Sequence, residues 1–285
     1  MVVDDEVEAA LAAVTELAPL HNAPALAELR RARKALPELA HVAVFDSAFH
    51  ATITAEAATY ALPRHVREDW GIRRFGFHGL SVQWASERVR VDRLVVCHLG
   101  GGCSVTAVRE GRSVDTTMGF TPLEGVPMAT RPGSVDPGVL VYLLRHHLTV
   151  DELDSMLERE SGLLGLSGAT GEVEELERST EEAARLALDV FSYRVAGAVG
   201  AMTMAVSGLD ALVFTAGIGE HSASIRAAVC SRLGYLGVEL DEAANSWAES
   251  DATISPAGRI PRVAVIKARE DVVAARAARA LLRAQ

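Results

Sequence analysis

The stretch LVVCHLGGGCSVTAV, residues 94–108, contains the pattern that decides the fold of this chain. Residues 94–98 form an apolar run typical of a buried strand, and the glycines at 100–102 end it. Residues 103–108 predict a second strand and residues 112–115 a third, with a turn at Glu110 and Gly111 between them. The stretch therefore predicts consecutive strands of a buried sheet, with a glycine-rich loop where the first strand ends.

The rest of the chain repeats the order of strand, glycines and helix. Residues 212–215 predict another apolar strand, followed by glycines at 217 and 219 and a helix from about Ser222. A last strand is predicted at 263–266, followed by a helix from about Glu270. A helix is predicted at 5–18, followed by a break at 18–24 and a second helix that ends at about 36. A short strand is predicted at 42–45. Helices are predicted to dominate residues 138–159 and 180–206. This order indicates an α/β protein with a largely buried sheet.

Composition excludes several classes of protein. The 285 residues carry 28 basic and 38 acidic side chains, and the formal net charge of −10 argues against a general nucleic-acid binder. The longest uncharged run, residues 195–209, is shorter than the roughly 20 residues that cross a bilayer, and the acidic N-terminal stretch is unlike a signal peptide. The three cysteines match neither a disulfide framework nor a zinc site. We therefore expect a cytoplasmic protein without a membrane segment.

Two glycine clusters follow apolar strands, HLGGG at 98–102 and TAGIGE at 215–220. Glycines in this position let backbone N–H groups approach a phosphate closely, and the N-terminus of a following helix adds a favourable field. The alternative interpretation is a pair of tight turns that need a positive φ. Because the chain has two such clusters, the pattern favours a phosphate or nucleotide cleft, although neither cluster matches a Walker-type loop.

Histidines and arginines provide further candidates. His50 ends the segment DSAFH at 46–50, and His78 lies in RRFGFHG at 73–79. A single histidine is most often a hydrogen-bonded structural residue, and adjacent arginines such as Arg73 and Arg74 most often form a solvated pair. No zinc-ligand spacing is present. The irregular segment 116–137, which contains Arg131, is longer than an ordinary loop and is expected to be functional or mobile.

Eight motifs together resemble the acetokinase family, a branch of the actin- and hexokinase-like phosphotransferases. They are VAVFDSAFH (42–50), RRFGFHGLS (73–81), HLGGGCSVTAV (98–108), GRSVDTTMGFTPLEG (111–125), ATRPGSVDP (129–137), SGLLGLSG (161–168), FTAGIGEHS (214–222) and REDVVAA (269–275). The resemblance implies an α/β fold of the actin-like ATPase (ribonuclease H-like) type, with the C-terminal half complete and the first domain partial. It divides the chain into a remnant of the first domain at 1–48, a second domain at 49–268 and a C-terminal helix at 269–285 that packs back toward the first domain.

The resemblance also implies an activity and its site residues. The expected reaction is reversible transfer of the ATP γ-phosphoryl group to acetate or another short carboxylate, with Mg²⁺, giving acyl phosphate and ADP. A carboxylate is already ionised at neutral pH, so catalysis must come from alignment and charge neutralisation rather than from a general base. The implied catalytic residues are Asp46, His78 and Arg131, and the implied metal ligand is Glu270. The implied nucleotide contacts are His98, Gly100, Gly101, Gly102, Gly217, Ile218, Gly219 and Glu220, and Leu20, Phe77 and Pro122 would line a pocket for the acetate methyl group.

The chain departs from the family pattern at several positions. Gly101 replaces an asparagine, Val82 replaces a histidine, and Pro132 and Ser134 replace a serine and an aspartate. The N-x-G-S-S-S-x-K motif that opens the family pattern is also missing from the sequence. Three hypotheses follow: an active phosphotransferase, a catalytically impaired remnant that binds nucleotide or a partner, and a fragment of a longer active enzyme.

Association with another chain is a further expectation. The strand at 42–45 and the helix from Glu270 would normally pack against strands that the sequence does not contain. We therefore expect an exposed apolar patch, and with it a homodimer or association through the first-domain remnant.

Overall fold

The computed structural model describes residues 1–15, 19–249 and 251–283, and for residues 19–21 it describes the backbone alone. A six-stranded sheet forms its centre, in the order β3-β2-β1-β4-β6-β5. The strands are β1 (Arg93–Leu99), β2 (Cys103–Arg109), β3 (Arg112–Thr116), β4 (Ala211–Thr215), β5 (Ala252–Thr253) and β6 (Arg262–Val265). The five strands predicted from residue 94 onward are confirmed, and β5 is a two-residue edge strand that the sequence did not predict.

Helices make up most of the remaining chain. They are α1 (Asp5–Ala13), α2 (Pro19–Ala35), α3 (Ala55–Ala58), α4 (Arg64–Asp69), α5 (Gly79–Val89), α6 (Pro137–His146), α7 (Val150–Ser155), α8 (Gly162–Ser167), α9 (Val173–Arg178), α10 (Glu182–Val206), α11 (Ala216–His221), α12 (Ala223–Cys230), α13 (Glu242–Ser246) and α14 (Glu270–Arg283). Short 3-10 helices cover Ala48–Thr52 and Ser231–Leu236, and a π-helical turn covers Met156–Glu160. None of the helices that the structure describes combines the length and the hydrophobicity that a membrane span requires.

The sheet combines a hairpin meander with a parallel centre. β1, β2 and β3 are antiparallel neighbours, whereas β1 pairs with β4, and β4 with β6, in parallel. Parallel strands are covered by helices on both faces, which is why β1 and β4 are apolar at almost every position. The predicted α/β class with a largely buried sheet is confirmed.

The two faces of the sheet belong to two apolar clusters. One face of β1, β2 and β4 packs against α10 through residues such as Cys97, Phe214 and Phe191. The other face packs against α5 through residues such as Val96 and Val82. Because side chains alternate along a strand, each strand contributes to both clusters, and neighbouring positions of one strand serve opposite faces.

The predicted strand at 42–45 is wrong. Residue Val42 forms a single antiparallel bridge with Val2, and Val3 N–H donates to the His41 carbonyl over 2.8 Å. The pairing stops there because the chain leaves it at Asp4, whose side chain accepts a hydrogen bond from Val7 N–H and caps α1. A strand needs a partner of matching length, and residues 1–3 offer only a short one.

The N-terminal helices also differ from the prediction. α1 ends at Ala13, and the stretch expected to break the helices is itself helical from Pro19, with Pro24 inside α2. Pro24 lies in the second turn of α2. Proline removes one backbone donor, a loss that matters least near the start of a helix. α2 is held against α1 by ion pairs from Arg30 and Arg33 to Glu8.

Candidate active site

The three glycines at 100–102 form the loop between β1 and β2. Gly100 N–H donates to the Gly102 carbonyl over 3.0 Å. None of the three has a positive φ, so the interpretation as a left-handed turn is wrong here. Space explains the need for glycine at 102, since a Cβ built there would lie 3.1 Å from Arg131 Nη2 and 3.2 Å from His78 Nε2. The loop backbone therefore lies directly against two of the predicted catalytic side chains.

Two histidines stack beside this loop. The rings of His78 and His98 are 4.0 Å apart between centroids and inclined by 20°. His98 Nδ1 lies 2.8 Å from the Ser81 hydroxyl, and His78 Nδ1 lies 3.0 Å from the Ser104 hydroxyl. Burial holds the pKa of His98 well below its usual value, and the neighbouring His78 lowers it further. His98 is therefore a neutral imidazole at physiological pH.

Asp46 holds the start of α5 in place. Its carboxylate accepts hydrogen bonds from His78 N–H at 2.6 Å and Leu80 N–H at 3.3 Å, and its carbonyl accepts from Gly79 N–H at 2.8 Å. A carboxylate at a helix N-terminus satisfies donors that have no partner within the helix. The contact also fixes His78, whose left-handed backbone (φ 61°) turns the chain into α5.

Glu270 brings a second carboxylate toward Asp46. It opens α14, and its pKa is raised by burial and by the charges of Asp46 and Asp271. Within the described part of the chain, no group of three or more His, Cys, Asp or Glu side chains is arranged to hold a metal. Two carboxylates nonetheless fit Mg²⁺, which keeps several waters and takes further oxygens from substrate phosphates.

Arg131 reaches the same place from the irregular segment 116–137. Its side chain is buried, and Nη1 donates to the Pro122 carbonyl over 3.1 Å. Burial lowers the pKa of the guanidinium, and the charge of Glu158 opposes this effect. Backbone hydrogen bonds fix the segment, including Met128 N–H to the Arg131 carbonyl at 2.9 Å. The segment is thus irregular, as expected, and it presents one buried cation to the glycine loop.

The second glycine cluster lies next to the first, although it forms the first turn of a helix rather than a loop. Gly217 and Gly219 belong to α11, and the positive φ is at Ala216 (66°). A Cβ built on Gly100 would lie 3.6 Å from Ala216 Cβ, which places the two clusters side by side. The Glu220 carboxylate accepts from Ala216 N–H at 3.0 Å and Ala268 N–H at 2.9 Å, so it ties the ends of β4 and β6 together.

The remaining sequence candidates have different surroundings. Phe77 is partly buried against the main core, and its carbonyl is 2.8 Å from His50 Nε2. Ile218 packs against the same core, and the side chain of Leu20 lies outside the described residues. His50 is a buried structural residue, since its Nδ1 lies 2.8 Å from the Ser113 hydroxyl.

Arg74 is not part of a solvated pair, contrary to the expectation. Its Nη1 donates to the carbonyls of residues 116, 117 and 118 at 2.9–3.0 Å, and its Nη2 pairs with Glu124 at 2.8 Å. The same carboxylate accepts a hydrogen bond from Tyr60. Arg74 therefore organises the first part of the irregular segment. A cleft of about 770 Å³ next to it, lined also by Tyr193 and Arg194, lies outside the histidine cluster.

Ser81 and Ser104 are the site residues that sequence reasoning missed. Both are fully buried and touch the two histidines. The signal for Ser104 was in the hairpin: with three glycines joining the strands, Ser104 is the residue that pairs with His98 across β1 and β2. Ser81 lies three residues beyond His78, in the first turn of α5.

Comparison with known proteins gives a consistent result. The family model described as the Acetokinase family matches residues 1–276. Acetate kinase of Nostoc punctiforme is 46% identical over 283 residues, which cover 95% of this chain and 70% of that protein. Acetate kinase of a Synechococcus strain is 46% identical over 291 residues, covering 98% of this chain and 72% of the relative.

Solved structures agree with the sequence relatives. A propionate kinase from Francisella tularensis superposes with a TM-score of 0.90 at 37% identity, covering 96% of this chain and 73% of that one. Acetate kinase from Porphyromonas gingivalis gives a TM-score of 0.90 at 34% identity, covering 99% and 74%. The actin-like α/β fold implied by the sequence motifs is confirmed, and the chain belongs to the acetokinase family.

Proposed function

We propose that this chain transfers the γ-phosphoryl group of ATP reversibly to acetate or another short carboxylate, giving acyl phosphate and ADP. The observation that carries the proposal is the convergence of His78, His98 and Arg131 on the glycine loop at 100–102. A group of donors that surrounds a glycine-lined loop suits a phosphoryl group, whose transfer depends on positioning and charge neutralisation. Family membership of the chain supports the same reaction.

Arg131 is the proposed catalytic cation. Its guanidinium is held at one nitrogen by the Pro122 carbonyl and presents Nη2 to the glycine loop. A planar guanidinium can donate two parallel hydrogen bonds to the oxygens of a carboxylate or phosphoryl group, whereas a lysine ammonium lacks this paired arrangement of donors. In a buried site its charge acts at low dielectric, so it stabilises the transferring phosphoryl group strongly. His78 is proposed to donate from Nε2 to a phosphoryl oxygen.

The nucleotide is proposed to lie along the two glycine clusters. His98 and Gly100 to Gly102 would contact its phosphates, and Gly217 to Glu220 would lie near the adenosine. The adjacency of Gly100 and Ala216 supports one continuous binding surface. Pro122, Phe77 and Leu20 are proposed to line the methyl pocket, and the position of Pro122 next to Arg131 is compatible with that role.

Mg²⁺ fits the pair of carboxylates at Asp46 and Glu270. The charge of Asp46 raises the pKa of Glu270 in addition to the effect of burial, and a bound cation would offset this repulsion. When bound, Mg²⁺ supplies charge neutralisation at the phosphate oxygens. Asp46 also has a structural role, because its hydrogen bonds to the start of α5 set the position of His78.

The test is the rate of acyl phosphate formation by the purified chain. Acetyl phosphate from ATP and acetate is trapped as hydroxamate, and the reverse reaction is followed as ATP formed from acetyl phosphate and ADP. We expect Arg131→Ala to lower kcat by about 10²–10³, the effect of removing one well-placed donor. Arg64→Ala is the matched control, since Arg64 is exposed and its ion-pair partner among the described residues is Glu68 on its own helix. A rate in the unaltered chain equal to that of Arg131→Ala would contradict the proposal.

We also propose a homodimer. The supporting observation is a set of exposed apolar side chains, Leu36, Leu39 and Phe45 in the N-terminal segment and Leu282 in α14, since exposed apolar surface favours association. Sedimentation velocity between 1 and 100 µM tests it (about a hundredfold range in concentration, enough to span Kd values of ordinary dimers). A monomer at every concentration would contradict the proposal.

The division of the chain into segments 1–48, 49–268 and 269–285 is likewise proposed. α1 and α2 are held together by ion pairs, which supports a separate N-terminal unit. α14 packs on α5, which lies within the segment 49–268, and there Arg276 bonds to Glu87 at 3.0 Å, so packing of α14 toward residues 1–48 stays a proposal. A cytoplasmic location is proposed as well, supported by three buried free thiols at Cys97, Cys103 and Cys230.

A further inference from the structure

The two histidines of the site are each held by a buried serine. Ser81 Oγ lies 2.8 Å from His98 Nδ1, and Ser104 Oγ lies 3.0 Å from His78 Nδ1. Both serines are fully buried, and they come from different elements, Ser81 from α5 and Ser104 from β2. The second ring nitrogens face the glycine loop, since Cβ atoms built on Gly100 and Gly102 would lie 3.9 Å from His98 Nε2 and 3.2 Å from His78 Nε2.

The direction of the hydrogen bond between Ser81 and His98 follows from the number of hydrogens. A neutral imidazole has one N–H and one lone pair, and a serine hydroxyl has one hydrogen to donate. Within the described residues, His98 Nδ1 is the one hydrogen-bond partner found for the Ser81 hydroxyl. If Nδ1 of the neutral His98 carried the proton, the Ser81 hydroxyl hydrogen would be buried without an acceptor, which is unfavourable. The Ser81 hydroxyl therefore donates, and the ring hydrogen of His98 is at Nε2.

We propose that Ser81 is a positioning residue that holds His98 as the Nε2–H tautomer, with this N–H group directed at the glycine loop, while Ser104 holds the ring of His78 beside it. The proposal rests on the proposed function in one respect: the ligand at the loop is an anionic phosphoryl group. A lone pair at Nε2 would repel such oxygens, whereas N–H attracts them. Ser81 thus makes the uncharged ring of His98 a hydrogen-bond donor, and the hydrogen bonds from the two serines also fix the stacked geometry of the rings, whose centroids are 4.0 Å apart.

The neutral state of His98 has a cause that is independent of Ser81. It is almost fully buried, and its surroundings oppose a positive charge. A neutral histidine can face the phosphates either as donor or as acceptor, and the Ser81 hydroxyl decides between the two. In metal sites, removal of a residue that orients a ligating histidine commonly lowers the affinity for the metal by about 10- to 100-fold. We expect removal of the Ser81 hydroxyl to lower the affinity for ATP by an amount at the lower end of that range.

The test is the protonation of His98 by ¹⁵N NMR of the full chain, labelled at histidine. We expect a protonated Nε2 and an unprotonated, hydrogen-bonded Nδ1 in the unaltered chain. In Ser81→Ala we expect the Nδ1 signal to move and the KM for ATP to rise about tenfold, with a smaller change in kcat. Ser86→Ala is the matched control, since Ser86 is a buried serine of the same helix that donates to the Gln83 carbonyl at 2.8 Å.

The outcomes separate the positioning role from the proposed function. Protonated Nδ1 in the unaltered chain overturns the proposal, as does an identical His98 signal in Ser81→Ala. If the chain makes no acyl phosphate but His98 shows the expected tautomer and responds to Ser81→Ala, the positioning role stands and the proposed function fails. If Ser81→Ala does not fold, the spectrum of the unaltered chain still decides the tautomer.

Discussion

Replacement of Gly102 by alanine is the most direct perturbation of the site. The added Cβ would lie 3.1 Å from Arg131 Nη2 and 3.2 Å from His78 Nε2, against an ordinary contact distance of about 3.5 Å or more. Neither neighbour can retreat freely, because Arg131 Nη1 is bonded to the Pro122 carbonyl and His78 Nδ1 to Ser104. A shift of a few tenths of an ångström in one or both groups must follow.

The magnitude can be worked from that shift. A displacement of about 1 Å at a reacting group costs about 10²-fold in rate, so a shift of about 0.5 Å predicts a drop in kcat of about tenfold. The φ of Gly102 lies outside the left-handed region, so alanine can adopt this backbone conformation. Such a replacement usually raises the free energy of unfolding by about 0.4–1 kcal/mol, because it lowers the conformational entropy of the unfolded chain. That gain offsets part of the crowding. We therefore expect little net change in stability.

The assay is hydroxamate trapping of acetyl phosphate together with thermal unfolding of the same samples. Gly234→Ala is the control, since a Cβ built on Gly234 meets no atom within 4 Å. Full activity of Gly102→Ala, at an unchanged Tm, would refute the reasoning, because it would mean that Arg131 and His78 are free to move or do not act at this loop. A Tm lowered by many degrees would instead assign the loss to folding.

Four further outcomes are expected. Gly197→Ala, in α10 with open space at the added Cβ, should raise stability by about 0.5–1 kcal/mol in thermal unfolding. Arg226→Ala should lower it by about 3 kcal/mol or more in urea, since the buried guanidinium donates to the side chain and backbone of Asn245 and to two carbonyls of α11. Burial and Glu124 raise the pKa of Tyr60 to about 12. As the pH rises from about 10 toward 12, the Tyr60 hydroxyl therefore ionises in the unfolded chain before it does so in the folded chain, and the free energy of unfolding should fall. Tyr60→Phe should flatten this pH dependence in alkaline denaturation. Gly101→Asn, which restores the family residue at an exposed position with open space, should lower the Kd for ATP about tenfold by equilibrium binding.

The sequence was informative wherever a local pattern determines the structure. Strands β1 and β4 were predictable because apolar runs end close to glycines, and the terminal helix was predictable from its spacing. The strand at 42–45 was not, because a strand depends on a partner elsewhere in the chain, and the pairing with residues 1–3 ends when Asp4 caps α1. Local sequence carries no information about the length of such a partner.

The same distinction applies to charged residues. Arg73 and Arg74 are adjacent and look equivalent in the sequence, yet Arg73 is exposed while Arg74 binds three carbonyls more than 40 residues away. Their positions in the sequence do not separate them, since the environment of each arginine depends on where the segment 116–118 lies. Candidate functional residues could therefore be proposed from residue type and motif, whereas their hydrogen-bond partners could be identified only from the three-dimensional structure.

The register of one hairpin explains why these partners come together. His98 pairs with Ser104 on β2 and with Thr215 on β4, so three polar residues form a row across the end of the sheet, on the face that packs against α5. The next row on that face contains apolar Val96 and Val213, and the alternate positions face α10. A slip of β2 by one residue would place Cys103 or Val105 opposite His98 and turn Ser104 to the α10 face. Three glycines set the length of the loop and thereby the register, so the loop that we propose to face the phosphoryl group also determines which side chain holds His78.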